Sequence, residues 1–108
     1  MNDGIYKVEF KSNSNDSGAG IVVIRNGIVN GGDYAFVFKG RFDGDSIALA
    51  AIQWDKSATS VFGTVGSFEL SLTLSAVTSA GFTADGNVVG APGATVSIQA
   101  TKLAEIVQ

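Results

Sequence analysis

The sequence predicts an all-β domain, an antiparallel up-and-down barrel of about eight strands, each of roughly seven to nine residues, joined by short turns. Three observations predict it. First, Asn26-Gly27 is the strongest short hairpin signal available, because a type I′ turn needs positive φ at both central residues. Gly31-Gly32-Asp33 supplies a second reversal a few residues on, so three consecutive strands become neighbours in a meander. Second, Ser67 to Ser75 sets Phe68, Leu70, Leu72 and Leu74 against Glu69, Ser71 and Thr73, a period of two that no helix produces. Third, an open meander of this length would expose two edges, and pairing the first strand with the last removes both. A sandwich is the alternative.

At 108 residues the chain makes one domain, residues 1–108, around one core. Charged residues make up 16% of it, well below the usual quarter, which suggests that a partner covers some apolar surface. The net charge of −3 and the scattered Lys and Arg argue against nucleic acid, whose phosphates need a clustered basic face. Cys and His are both absent, so disulfides, thiolate metal sites and a cysteine nucleophile are excluded. Met1-Asn2-Asp3-Gly4 lacks the basic and apolar regions of a secretory signal. The longest apolar run, Ile47 to Ile52, falls far short of the roughly 20 residues of a membrane helix. A soluble, cytoplasmic protein without membrane contact is expected.

In chain order, Ile5 to Lys11 places Tyr6, Val8 and Phe10 on one face and Lys7, Glu9 and Lys11 on the other, a half-buried strand. Ser12 to Gly18 is a polar loop of turn-forming residues. Gly20 to Arg25 is apolar on both faces at Ile21-Val22-Val23-Ile24, so its outer face needs cover from a second subunit, a terminal helix or a partner. After a short Ile28-Val29 strand, Tyr34 to Phe42 sets Tyr34, Phe36 and Phe38 against Ala35, Val37 and Lys39, with the aromatics expected inside. Asp43-Gly44-Asp45 is a tight turn, and the next strand, Ser46 to Trp54, carries small outward residues that allow close approach. Asp55 to Thr64 is the longest connection, with a short strand expected at Ser60-Val61-Phe62.

Phe82 to Val89 reads as a weaker strand, interrupted at Asp85-Gly86-Asn87 by a bulge or a turn. Ala91-Pro92-Gly93 is the next turn, and Thr95 to Leu103 is a strong last strand with Val96, Ile98 and Ala100 inward. Lys102 to Gln108 leaves room for part of a helical turn and no more.

Taken together, Asp3-Gly4-Ile5-Tyr6, the Gly18 and Gly20 pair before Ile21, Asn26-Gly27, Gly31-Gly32-Asp33 and the Gly40 that ends the aromatic strand form an ordered set. This set resembles the GrlR family, negative regulators of type III secretion with a larger group of bacterial relatives. The resemblance is concentrated in Asp3 to Leu49, with an echo at Pro92-Gly93 and the strand after it. It implies a lipocalin-like β-barrel, a homodimer, and regulation exercised by binding a transcriptional activator protein. The family's acidic hairpin run corresponds here to Asp43-Gly44-Asp45-Ser46, a shorter loop with fewer carboxylates.

The candidate partner-binding residues are accordingly Asp43, Gly44 and Asp45, since loop-tip carboxylates meet Arg and Lys on a basic partner and speed encounter. An ordinary Asp-Gly turn is the plainer account of the same residues. As a calcium site the loop lacks the six or more oxygens required. Asp33 is expected to tie down its turn by a side-chain hydrogen bond, because no helix follows to cradle a phosphate. For dimerisation the candidates are Ile21, Val23 and Trp54, in an interface that favours Trp.

With no His, no Cys and both Glu9 and Glu69 on outer faces, no catalytic residue, metal or cofactor is expected. The competing reading is a small-molecule binder. An eight-stranded barrel can enclose one apolar ligand, and Tyr6, Phe10, Tyr34, Phe36, Phe38 and Phe68 would line the pocket. The same side chains would equally fill a closed core.

Overall fold

A computed structural model describes residues 2–13, 17–57 and 66–107. The strands are β1 (Gly4–Ser12), β2 (Ser17–Arg25), β3 (Ile28–Gly32), β4 (Phe36–Asp43), β5 (Ser46–Gln53), β6 (Phe68–Thr78), β7 (Gly81–Val88) and β8 (Ala91–Ala104). They form a closed barrel in chain order, every neighbouring pair antiparallel, with β1 against β8 as the closing pair. No sheet edge is left among these strands, as the edge argument requires.

The organising reversal is the predicted one. Asn26 and Gly27 hold φ of 52° and 76°, the positive pair of a type I′ turn. The Phe42 N–H donates to the Gly27 carbonyl at 2.8 Å, tying the hairpin to β4. Further along β3, a Cβ on Gly31 would run into the Ile21 carbonyl and the Val22 Cα, so only glycine lets β3 press this closely against β2.

The barrel interior is apolar and continuous. Tyr6, Val8 and Phe10 of β1, Val22 and Ile24 of β2, Phe36 and Phe38 of β4, Leu70 and Leu72 of β6, and Val96, Ile98 and Ala100 of β8 are all buried. Phe68 and Leu74 are half-buried and pack on the same core. Ring pairs interlock across it: Phe10 with Phe38 at 5.1 Å, Phe36 with Phe68 at 5.6 Å, and Phe82 with both Tyr6 and Phe42 at 5.7 Å.

Four expectations are corrected. Tyr34 lies outside, 71% exposed, while Ala35 is buried. The strand begins only at Phe36, because one Asp33 carboxylate oxygen accepts the N–H groups of Ala35 and Phe36, both at 2.8 Å. That turn releases Tyr34 from the alternation of β4. Second, β7 runs unbroken through Asp85-Gly86-Asn87, and the register shifts fall between Leu74 and Ala76 of its partner strand and between Asn87 and Val88.

Third, the reversal sits at Val89-Gly90, where Gly90 has φ of 85°, and Ala91-Pro92-Gly93 belongs to β8. Pro92 is tolerated because β8 bulges there, with Val88 opposite Ala91 and Asn87 opposite Thr95, so no ladder N–H is required of it. Fourth, Lys102 to Ala104 continues β8 in place of a helical turn, and the Lys102 N–H donates to the Ala80 carbonyl at 2.8 Å. The Ser60-Val61-Phe62 strand expectation lies outside the described residues.

Candidate binding surfaces

Three regions follow from this barrel: its interior, the acidic hairpin tip and the outer wall. Inside, Tyr6, Phe10, Phe36, Phe38 and Phe68 all take part in the core as expected. Of these only Phe10 borders the interior space seen among the described residues, which is shared with Ile24, Phe42, Leu72 and Phe82 and measures about 30 Å³. That is the share of liquid volume of about one water molecule, whereas small-molecule pockets run to roughly 300 Å³ and more. Tyr34, the remaining predicted lining residue, points away from it.

The hairpin tip is built on Gly44, whose φ of 59° turns β4 into β5 with Asp43 opposite Ser46. Asp43, Gly44 and Asp45 are all exposed. Among the described residues no Lys or Arg lies within ion-pair distance of either carboxylate, the ion pairs there being Lys7 with Glu9 at 3.3 Å and Lys102 with Glu105 at 2.6 Å. The tip therefore presents two uncompensated charges to solvent. It does not supply a metal cage: no group of three or more potential acidic ligands assembles among the described residues. Asp33 is committed to its turn, as its spacing predicted.

On the outer wall, strand pairing aligns residues far apart in sequence. Ile21 of β2 opposes Gly32 of β3, Gly32 opposes Val37 of β4, and Val37 opposes Ile52 of β5. All of them face outward, and Ile21, Val37 and Ile52 are 45%, 38% and 44% exposed. Val23, two residues along β2, is half-buried on the same face. Trp54 lies just past the end of β5, 57% exposed, with its indole N–H donating to the Asp33 carbonyl at 3.2 Å. Its backbone N–H donates to Ala35, which holds the Trp54 segment against the turn that exposes Tyr34.

The residues expected at a dimer interface, Ile21, Val23 and Trp54, thus share one side of the barrel. Val37, Ile52 and Tyr34 are exposed on the same side and are not among the residues the sequence singled out there. Val37 is outward by its alternation with Phe36 and Phe38, and that signal was present. Ile52 is hidden inside an apolar run whose two faces cannot be separated without knowing the pairing.

Across β6, β7, β8 and β1, reaching the start of β2, runs a wide hollow of about 690 Å³ lined by Lys11, Ser17, Ser75, Thr83, Asp85 and Gln99 among others. Two pairs of its polar groups are engaged with one another: Ser97 Oγ donates to Asp85 at 2.9 Å, and the Ser75 and Thr83 hydroxyls share a 2.9 Å hydrogen bond. Comparison with known proteins finds no family model and no curated sequence that matches this chain.

Proposed function

We propose that this barrel is a regulatory protein-binding module that acts through its outer surface, without chemistry of its own. The observation that supports the reading is the contrast between the described interior space beside Ile24, Phe42 and Leu72, about 30 Å³, and an outer side with Ile21, Val37, Ile52 and Trp54 exposed together. Exposed apolar side chains grouped on one face mark interaction surfaces, and Trp is favoured in them. The resemblance to GrlR-type negative regulators adds a partner class: a transcriptional activator protein held in part by Asp43 and Asp45. A homodimer is the second association proposed, on the Ile21, Val23 and Trp54 side.

The test is native mass spectrometry of the protein purified gently from its own host, followed by capture with Asp43→Asn/Asp45→Asn. A co-purifying basic regulator, released by salt and weakened by the double substitution, is the expected result, because part of the attraction is screened Coulomb interaction. Retention of a few hundred daltons of apolar small molecule in place of a protein would overturn the reading in favour of the ligand-carrying alternative.

A further inference from the structure

We propose that a second copy of this chain packs face to face on the outer wall of β4, β5 and β6, with the two-fold axis running along β5. The inference rests on the homodimer reading and moves its contact round the barrel, away from Ile21 and Val23 on β2 to the wall centred on β5, the strand that ends next to Trp54. Lys39 opposes Ala50, and Ala50 opposes Glu69, so a cation, a small residue and an anion stand in one line across three strands. Lys39 and Glu69 are exposed, and among the described residues neither forms an ion pair. Strands are about 4.8 Å apart, so the Lys39 and Glu69 backbones stand roughly 10 Å apart with Ala50 between them.

A two-fold axis along β5 exchanges left and right. It sets Lys39 of each copy over Glu69 of the other, producing two symmetric ion pairs from one line of residues. The neighbouring lines fit the same operation. Arg41 opposes Ala48, which opposes Ser71, so the axis places Arg41 over a serine and sets no cation against a cation. Along the axis each copy's Ala48, Ala50 and Ile52 meet their own counterparts, and the 44% exposed Ile52 gains apolar cover. Closed barrels are convex and touch along a ridge. Alanines at that ridge allow close approach, and the long Lys39 and Glu69 side chains can span the diverging surfaces on either side.

Other placements fail on charge. An axis along β4 sets Lys39 against Lys39, and one along β6 sets Glu69 against Glu69. An axis across the strands through this line does both. Like charges brought together at an interface oppose association, so β5 alone makes the line self-complementary. Aligned packing of two sheet faces needs no more than this register.

The experiment is sedimentation equilibrium of the full chain at low and high salt, for wild type, Lys39→Glu, Glu69→Lys and the double charge reversal. Wild type is expected to dimerise, more weakly as salt rises. Each single reversal is expected to weaken the dimer about tenfold or more, since the symmetry applies it twice, and the double reversal to restore it. Melting temperatures of the singles close to wild type establish that folding is intact. A monomeric wild type, or a double reversal as weak as the singles, overturns the proposal. Neither result bears on capture of a regulator by Asp43 and Asp45, which is read in the host purification.

Discussion

The two sides of this barrel share one core and treat their outer surfaces differently. On β6, β7, β8 and β1 the outward positions are mostly Ser, Thr, Gln, Asp, Glu and Lys, with Val77 and Leu103 exposed towards the strand ends, and several polar groups engage one another: Ser97 bonds Asp85, Ser75 bonds Thr83, and Lys7 pairs with Glu9. On β2 to β5 the outward positions include Ile21, Ile28, Val37 and Ile52, each more than a third exposed. The cations between them, Arg25, Lys39 and Arg41, form no ion pair among the described residues. Cross-strand polar pairs stabilise a wall that faces water, by about 0.2–1 kcal/mol each. A wall without them, apolar and carrying free charges, gains most when another surface covers it. The difference teaches that one core sets the fold for both sides while their outer surfaces diverge, and the association we propose uses the more apolar half together with the adjoining edge of β6.

If the two sides are outer treatments of a single core, inward truncations must hurt equally on both. Ile24→Ala on β2 and Leu72→Ala on β6 remove buried side chains that border the same small space. Each is expected to destabilise by about 3 kcal/mol, as a buried aliphatic residue cut to alanine does. Urea unfolding followed by tryptophan fluorescence measures both. A loss at one site several times that at the other would mean that the halves fold as separate units, and the comparison would break.

Backbone approach ranks next. Gly31→Ala forces a methyl into the carbonyl of Ile21 and the Cα of Val22, which are backbone atoms with no rotamer to relieve them. About 1–3 kcal/mol of overpacking strain is expected. At Gly44 an added Cβ would meet nothing within 4 Å, so Gly44→Ala carries only the left-handed φ penalty of about 1–2 kcal/mol. Finding the two variants reversed in order of thermal stability would place the tight approach elsewhere in the apolar side.

What separates the parts of this molecule that could be read from the chain is how far apart the determining residues stand. The alternation of Phe68, Leu70 and Leu72 and the Asn26-Gly27 turn are local, and both stand as expected. Tyr34 misled because strand parity applies only after the Asp33 hydrogen bonds end, and a turn that captures two backbone N–H groups is invisible to a count of alternate residues. The line of Lys39, Ala50 and Glu69 shows the limit most clearly. Its first pair follows by counting back from the tight hairpin in which Asp43 faces Ser46. Its second crosses the longest connection in the chain, between Gln53 and Phe68, from which no register can be counted.

Surface substitutions should separate the two sides without disturbing the core. Ile52→Ser is expected to change stability by no more than about 0.5 kcal/mol while reducing dimer formation, because its exposed side chain has little intramolecular packing to lose. Thr83→Ala, on the polar side, removes the bond to Ser75 and is expected to leave association unchanged, with a stability loss below about 1 kcal/mol at so exposed a pair. Chemical denaturation paired with sedimentation reads both. Equal effects on association would erase the distinction between the walls.

The last comparison is between two pH profiles in alkali. Tyr6, on β1, is buried, and its hydroxyl donates to the Asn2 carbonyl at 2.6 Å. Burial raises the phenol above its ordinary value of 10.0, with nearby Lys102 pulling the other way and Asp3 and Glu105 adding to the rise. A neutral phenol that holds its proton more tightly when folded contributes stability in full below the unfolded value, and that contribution disappears as pH climbs through the raised one. The urea midpoint of the wild type should therefore fall between pH 9 and pH 11 by more than that of Tyr6→Phe, with other alkaline titrations common to both. At pH 7 the order reverses in origin: Tyr6→Phe loses about 1 kcal/mol with the hydrogen bond to Asn2. Parallel pH profiles would mean that the Tyr6 hydroxyl reaches water in the folded barrel, opening the polar side at the end where β1 closes on β8.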